Sequence, residues 1–251
     1  MAKQAGLGSN FYIGGFDLSG NVNALSKISG GPAALDVTSI NQSAFARLGG
    51  LRDGGMDFTT LFDSAAGQEH PALSPLPTAD TIASFLPGPL AIGNPAASVN
   101  CKQVNYDPNR DGSGNLLFSV SCVANGFGLE WGQSLTPGLR TDGSATAAAA
   151  GNSFDTGGSL AFGAQMYVHL TAFTGTSVTI KVQDSADNIT FLDIAGTSLT
   201  TTALVAAGSV RVAIPNTTTV RRYIAVGTVG TFSNAVFAVN VIKNSIANVV
   251  F

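Results

Sequence analysis

The chain has 251 residues, of which 45% are apolar and only 11% charged, and its formal net charge is −3. A soluble globular domain carries roughly 25% charged residues, so the composition suits a protein that covers much of its surface with copies of itself. Residues 1–150 hold 7 Lys+Arg against 11 Asp+Glu, and residues 151–251 hold 5 against 4. No basic cluster with interleaved aromatics occurs, which argues against a nucleic-acid grip built on counterion release.

Taken in order, Phe11–Ile13 with Phe16 and Leu18 mark a first strand turned at Ser19-Gly20-Asn21. Ala24–Ile28 and Ala33–Thr38 read as two strands on either side of Gly30-Gly31-Pro32, a strong turn signal. Ser39 with Gln42 three residues on has the arrangement of a capping box. It predicts a short helix through Ala44–Leu48 that stops at Gly49-Gly50, where a left-handed cap costs glycine nothing. Met56, Phe58 and Leu61 then resume strand spacing. Ser64–Pro77 reads as a long surface loop, and Thr78–Leu86 as a turn followed by a strand.

Ser98–Tyr106 and Leu116–Ala124 alternate cleanly around a polar turn, the pattern of a β-hairpin. Pairing Tyr106 with Leu117 would set Cys101 opposite Cys122. Disulfide geometry across paired strands is strained, so two free buried thiols are expected. The tip, Asp107–Gly112, has oxygens at positions 1, 3 and 5 and glycine at 6 of a calcium loop. Position 12 is Phe118, however, and Arg110 puts a positive charge inside the ring, so a polar turn is expected and no metal.

Thr141–Ser159 is small, polar and glycine-rich and reads as a flexible linker. Six apolar-alternating segments follow at short spacing: Ala164–Phe173, Val178–Gln183, Thr190–Ile194, Val210–Ile214, Tyr223–Val229 and Val236–Ile242. That is the signature of an antiparallel sandwich. The expected fold is all-β with one or two short helices. It comprises a first domain of residues 1–142, a tether of 143–157 and a second β-sandwich of 158–251.

The catalytic signals are absent. His70, beside Glu69 in a proline-flanked loop, reads as solvated, and His169 as lying on a strand face. No phosphate loop, dinucleotide fingerprint, C-x-x-C or H-E-x-x-H occurs. No catalytic, cofactor-binding or metal-ligating residue is nominated, no cofactor is called for, and an enzyme is not expected. Arg221-Arg222 reads as a solvated strand end. The sequons at Asn41, Asn188 and Asn216 mean little without secretion, and the polar start after Lys3 does not read as a signal peptide. No stretch reaches the ~20 apolar residues of a membrane span.

The order of residues carries a resemblance. Asp36-Val37-Thr38, then Arg47, then Gly49–Thr59 (GGLRDGGMDFT) resembles the major tail tube proteins of long-tailed bacteriophages, in which such a segment links two strands through a small helix. Leu117–Leu135, with F-S-V-S, A-N-G and E-W-G, resembles the strand and turn near the end of the same domain. Val178–Ile194 resembles β-sandwich modules appended to phage tail and capsid proteins.

The resemblance implies a structural virion subunit made in the host cytoplasm. Its sheets would join into rings, usually hexamers, that stack as a hollow tail tube. Tape-measure protein and genomic DNA would occupy the lumen without sequence-specific binding, kept from sticking by acidic side chains. The second domain would project outward on its tether and make weak host-surface or glycan contacts. The alternative, from a different class, is a capsid or tail decoration or adhesin protein whose C-terminal sandwich is the working part.

Overall fold

β-Branched and aromatic residues alternating with Ser, Thr and Gly favour a pleated surface, and the regular structure of the described residues is nearly all strand. The computed structural model describes residues 6–194 and 198–246. In order these form β1 (Asn10–Ile13), β2 (Phe16–Asp17), β3 (Val22–Asp36), β4 (Arg47–Leu61), α1 (Glu69–Leu73), β5 (Thr81–Leu86), β6 (Pro95–Gln103), β7 (Asp107–Arg110) and β8 (Leu116–Ala124). The second half forms β9 (Glu130–Ser134), β10 (Arg140–Asp142), β11 (Ser153–Asp155), β12 (Ala164–Ser185), β13 (Leu192–Asp193), β14 (Leu199–Thr200), β15 (Gly208–Ala213) and β16 (Tyr223–Lys243). All sixteen strands belong to one antiparallel sheet that branches.

Several expected breaks are continuous strand. β3 runs straight through Gly30-Gly31-Pro32, and the predicted capped helix is absent: Leu48, Gly49 and Gly50 lie within β4, and Ser39–Gln42 closes a turn through Gln42 N–H to Ser39 O at 3.0 Å. A segment of a few residues cannot offset the cost of nucleating a helix without packing. The helix that does form, α1, lies in the expected surface loop and buries Glu69 and Leu73. The expected strand after Thr78 is β5.

The hairpin of β6 and β8 forms with its register two residues from the expected one: Cys101 pairs with Ala124 and Gln103 with Cys122. A shift of two keeps both thiols on one face, and both are free and buried. The Cys101 thiol beside it and burial both raise the Cys122 pKa. The turn itself lies further on, because Asp107–Arg110 pairs with β8 as β7. Asp111 then closes the tip, its carboxylate accepting from Ser113 N, Asn115 N and Asn115 Nδ2.

Four of the six sandwich segments merge into two strands, β12 and β16, paired from Ala164↔Lys243 to Ser185↔Tyr223. Bulges interrupt this ribbon between Leu170 and Ser177. Gly175 and Gly230 lie there at φ 159° and 134°, where an added Cβ would fall 2.4 Å from Phe232 Cα and 2.2 Å from Ser177 O. Leu170 and Val178, on either side of the bulges, share one core.

The expected tether is held along β16. β10 pairs with Ala235–Phe237, Thr146 bridges Thr228, and β11 pairs with Tyr223–Ala225. Asp142, buried, accepts from Arg140 Nε and Nη2 and from the Thr228 hydroxyl. Arg222 holds Asp155 through two 2.7 Å bonds, and Lys243 Nζ donates to Thr156 Oγ1 and to the Gly158 and Arg221 carbonyls. Arg221 holds Asp184, so neither arginine of the pair is merely a solvated strand end.

Two main cores result. One gathers Phe11, Met56, Phe58, Val99, Val120 and Leu129; the other gathers Leu135, Val168, Ile180, Val226 and Phe237. They meet across β9, which pairs with β6 on one side and β16 on the other. Gly132 makes that approach possible, since a Cβ there would lie 2.2 Å from Val241 O.

Candidate assembly surface

β3 and β4 form a hairpin of unequal character along its length. Near the body Met56 and Phe58 are buried, and Phe11 packs on Phe58 with ring centroids 4.5 Å apart. Beyond Gly30 and Gly54 the hairpin leaves the body as an arm. A Cβ on either glycine would come within 2.7 Å of Leu129 Cβ, so glycine lets Leu129 cross the root and reach the core.

The arm is paired but uncovered. Leu35 and Leu48 face each other across it, 50% and 60% exposed, while Leu51 is 88%, Phe45 71% and Ile40 106% exposed. With Val37 at 46%, six apolar side chains of the arm stand in solvent, grouped on one hairpin rather than scattered singly over the surface.

The tip is ordered by its own side chains. Thr38 N–H and hydroxyl both donate to Asp36 Oδ1, at 2.9 and 2.6 Å, and Ala46 N–H donates to Thr38 Oγ1 at 2.9 Å. The Thr38 hydroxyl holds the Asp36 pKa below the usual carboxylate range. The Arg47 guanidinium lies 4.7 Å from the centroid of the Phe45 ring. A tip ordered in advance loses little entropy on docking.

β3, β4, β8 and β7 make a four-stranded stretch of sheet with two free edges among the described residues. β3 pairs only with β4, and β7 only with β8. Its inner face is core: Met56, Phe58, Val120 and Cys122. Its outer face carries two largely polar rows, Lys27–Asp57–Ser121 and Ala24–Thr59–Ser119–Asp107, between Val123 at one end and Leu61 with Leu117 at the other. The Ser121 hydroxyl donates to Asp57 Oδ1 at 2.5 Å.

The two histidines lie elsewhere. Glu69 is fully buried rather than solvated, accepting from Thr60 Oγ1, Asp63 N and the Tyr106 hydroxyl at 2.6 Å. His70 Nδ1 lies 2.9 Å from the same hydroxyl, among the rings of Phe62, Tyr106 and Phe118. Burial and Glu69 push the Tyr106 pKa up, which keeps the hydroxyl protonated and a poor nucleophile. The cluster ties α1 to β4 and β8. His169 lies on β12, on the face turned towards the first half. Among the described residues no three His, Cys, Asp or Glu side chains are placed to hold a metal, and no helix is long and apolar enough to cross a membrane.

No family model matches the chain, and no curated protein does. Solved structures give distant likenesses. A chain in the virion of a native gene transfer agent particle is 14% identical, over 51% of this chain and 98% of that one, at a TM-score of 0.41. A chain in the tail of an empty gene transfer agent particle, refined with C6 helical symmetry, is 16% identical over the same shares, at 0.40. The Dit protein of phage SPP1, titled a paradigm of the hub adsorption apparatus of phages infecting Gram-positive bacteria, is 9% identical over 94% of this chain and 99% of that one, at 0.33. At such scores the likenesses carry no function over to this chain.

Proposed function

We propose that the chain is a structural subunit of a phage tail, a tail tube protein that polymerises with itself. The observation that carries the reading is the β3–β4 arm, whose six exposed apolar side chains none of the described residues covers. The residues from Asp36 to Thr59 that resemble tail tube proteins are the same residues that build the tip and the returning strand.

The occupant of the arm is a second copy. The free edges of β3 and β7 bound one sheet, and joining one copy's β3 edge to the next copy's β7 edge is a head-to-tail contact that repeats into a ring. An open edge is otherwise a route to uncontrolled pairing. The polar face of that sheet then lines the bore. Asp53, Asp57 and Asp107 outnumber Lys27 there, so passing DNA is repelled more than held. Residues 1–142 form the wall and residues 158–251 face outward, fixed to the wall by β9 and β16 rather than hung from a tether.

Negative-stain microscopy of the concentrated full chain is the test. Rings or hollow tubes are expected. A monomer or trimer that binds capsids and never forms rings would favour the decoration or adhesin role instead.

A further inference from the structure

The face of β12 that turns away from the second core carries Gln165, Tyr167 and His169, alternating with the core residues Met166, Val168 and Leu170. This polar face packs on the first half. Asn240 Nδ2 donates to Ser98 Oγ at 3.1 Å, the Ser98 and Ser84 hydroxyls meet at 2.8 Å, and Ser84 Oγ lies 2.9 Å from His169 Nε2. All four residues are buried, and they come from β16, β6, β5 and β12, two strands from each half.

The amide nitrogen can only donate. Ser98 therefore accepts from Asn240, and the Ser98–Ser84 and Ser84–His169 bonds run in the sense that the His169 tautomer sets. Nδ1 has no partner, and neither does Asn240 Oδ1. A second proton makes both ring nitrogens of His169 donors, one with only the Ser84 hydroxyl to receive it and the other with no partner.

No opposite charge waits for it. β5, β6 and β16 bring only Ser84, Ser98 and Asn240. β1 brings Tyr12, whose ring lies 5.7 Å away and whose pKa burial raises to about 12. Tyr167 is next on the same strand face, and beyond it Glu130 of β9 and Arg211 of β15 are 3.5 Å apart and engaged with each other and with the Tyr167 hydroxyl.

We propose that this seam is an acid-sensitive latch: proton uptake by His169 breaks the polar contact that holds the two halves of the subunit together. The inference stands apart from the assembly role.

Burial lowers the His169 pKa to about 3, against ~6.5 for an unperturbed histidine. Between those values the opened state binds the extra proton and the closed one does not. The latch is therefore fully closed above about pH 6.5, and the closed-to-open ratio falls about tenfold per pH unit below it.

The experiment is urea unfolding of the full chain at pH 7.5, 6 and 5, read by Trp131, the single tryptophan, which lies on β9 between the halves. From pH 6 to 5 the folded-to-unfolded ratio of the wild type should fall about tenfold. His169→Asn should flatten the fall to less than about twofold on the same linkage. His70→Asn, the other histidine, should keep the wild-type slope. A flat wild type, or a slope that survives His169→Asn, overturns the proposal. If His169→Asn does not fold, hydrogen exchange of the wild type decides. Amides around Ser84, Ser98, His169 and Asn240 should open first at pH 5, after correction for intrinsic rates. Exchange that is unchanged, or raised uniformly over both cores, overturns it.

Discussion

The arm and the seam are built from the same backbone pairing and differ in what their side chains meet. In the arm, residues 31–36 and 47–53 are paired across two strands, yet Leu35, Leu48 and Leu51 stay in solvent. In the seam, Ser84, Ser98, Glu130, His169 and Asn240 are polar and buried, each with at least one hydrogen bond. The usual distribution, apolar inside and polar outside, is reversed in both places. Buried polar groups that find partners make a contact geometrically specific at little net gain in stability. Exposed apolar groups on an ordered arm do the opposite, holding their stabilisation back until a partner arrives.

That contrast can be broken most sharply with two phenylalanines of the same hairpin and its tip. Phe58 is 1% exposed and packed on Phe11, so Phe58→Ala should cost ~3–5 kcal/mol of folding stability. Phe45→Ala should change the stability of the isolated subunit by less than about 0.5 kcal/mol while weakening self-association. Urea unfolding of both variants checks the first number, and sedimentation at several concentrations checks the second. A large loss of stability in Phe45→Ala would mean that the tip folds back on its own body.

A smaller effect separates two glycines. Gly132→Ala pushes a Cβ to 2.2 Å from Val241 O and should cost ~1–3 kcal/mol or more, because β9 must move off β16. Gly49→Ala finds Pro32 Cβ at an ordinary 3.6 Å and should fall within about 0.5 kcal/mol of the wild type. Equal effects at the two sites would show that the halves are not locked where β9 enters.

The smallest expected effect concerns the segment beside β16. Its ion pair, Arg222 with Asp155, is exposed on both sides, so Arg222→Ala should leave the urea midpoint close to that of the wild type. Limited proteolysis of that variant should still cut the arm tip, 37–46, before it cuts 143–157. Early cleavage within 143–157 would restore the tether that the composition suggests.

The all-β class, the β6–β8 hairpin and the free thiols were legible because period-2 alternation is a local signal. What was missed has long-range causes. Gly30-Gly31-Pro32 has turn chemistry, but Leu129, about a hundred residues away, packs on Gly30 and needs the space a side chain would take. Residues 141–159 have linker composition, and the same small side chains let the chain lie flat on β16, where a Cβ at Gly227 would be 3.1 Å from Ala148 N. Ser39 and Gln42 have the side chains of a capping box, but the bond between them is a backbone one that closes a turn. The assembly surface was half visible, since the residues that carry the family resemblance were singled out but placed on a helix. The seam was not visible at all. His169 on a strand face looks the same in sequence whether that face meets water or Ser84.

The central claim is that one copy does not join the next without the arm. Sedimentation velocity of the full chain beside a variant in which residues 32–52 are replaced by Asn-Gly tests it directly, because a two-residue turn of this type closes the shortened hairpin without strain. The account predicts large assemblies for the full chain and a folded monomer for the shortened one, with the Trp131 emission of the two unchanged. Assemblies of the same size from both proteins would contradict it.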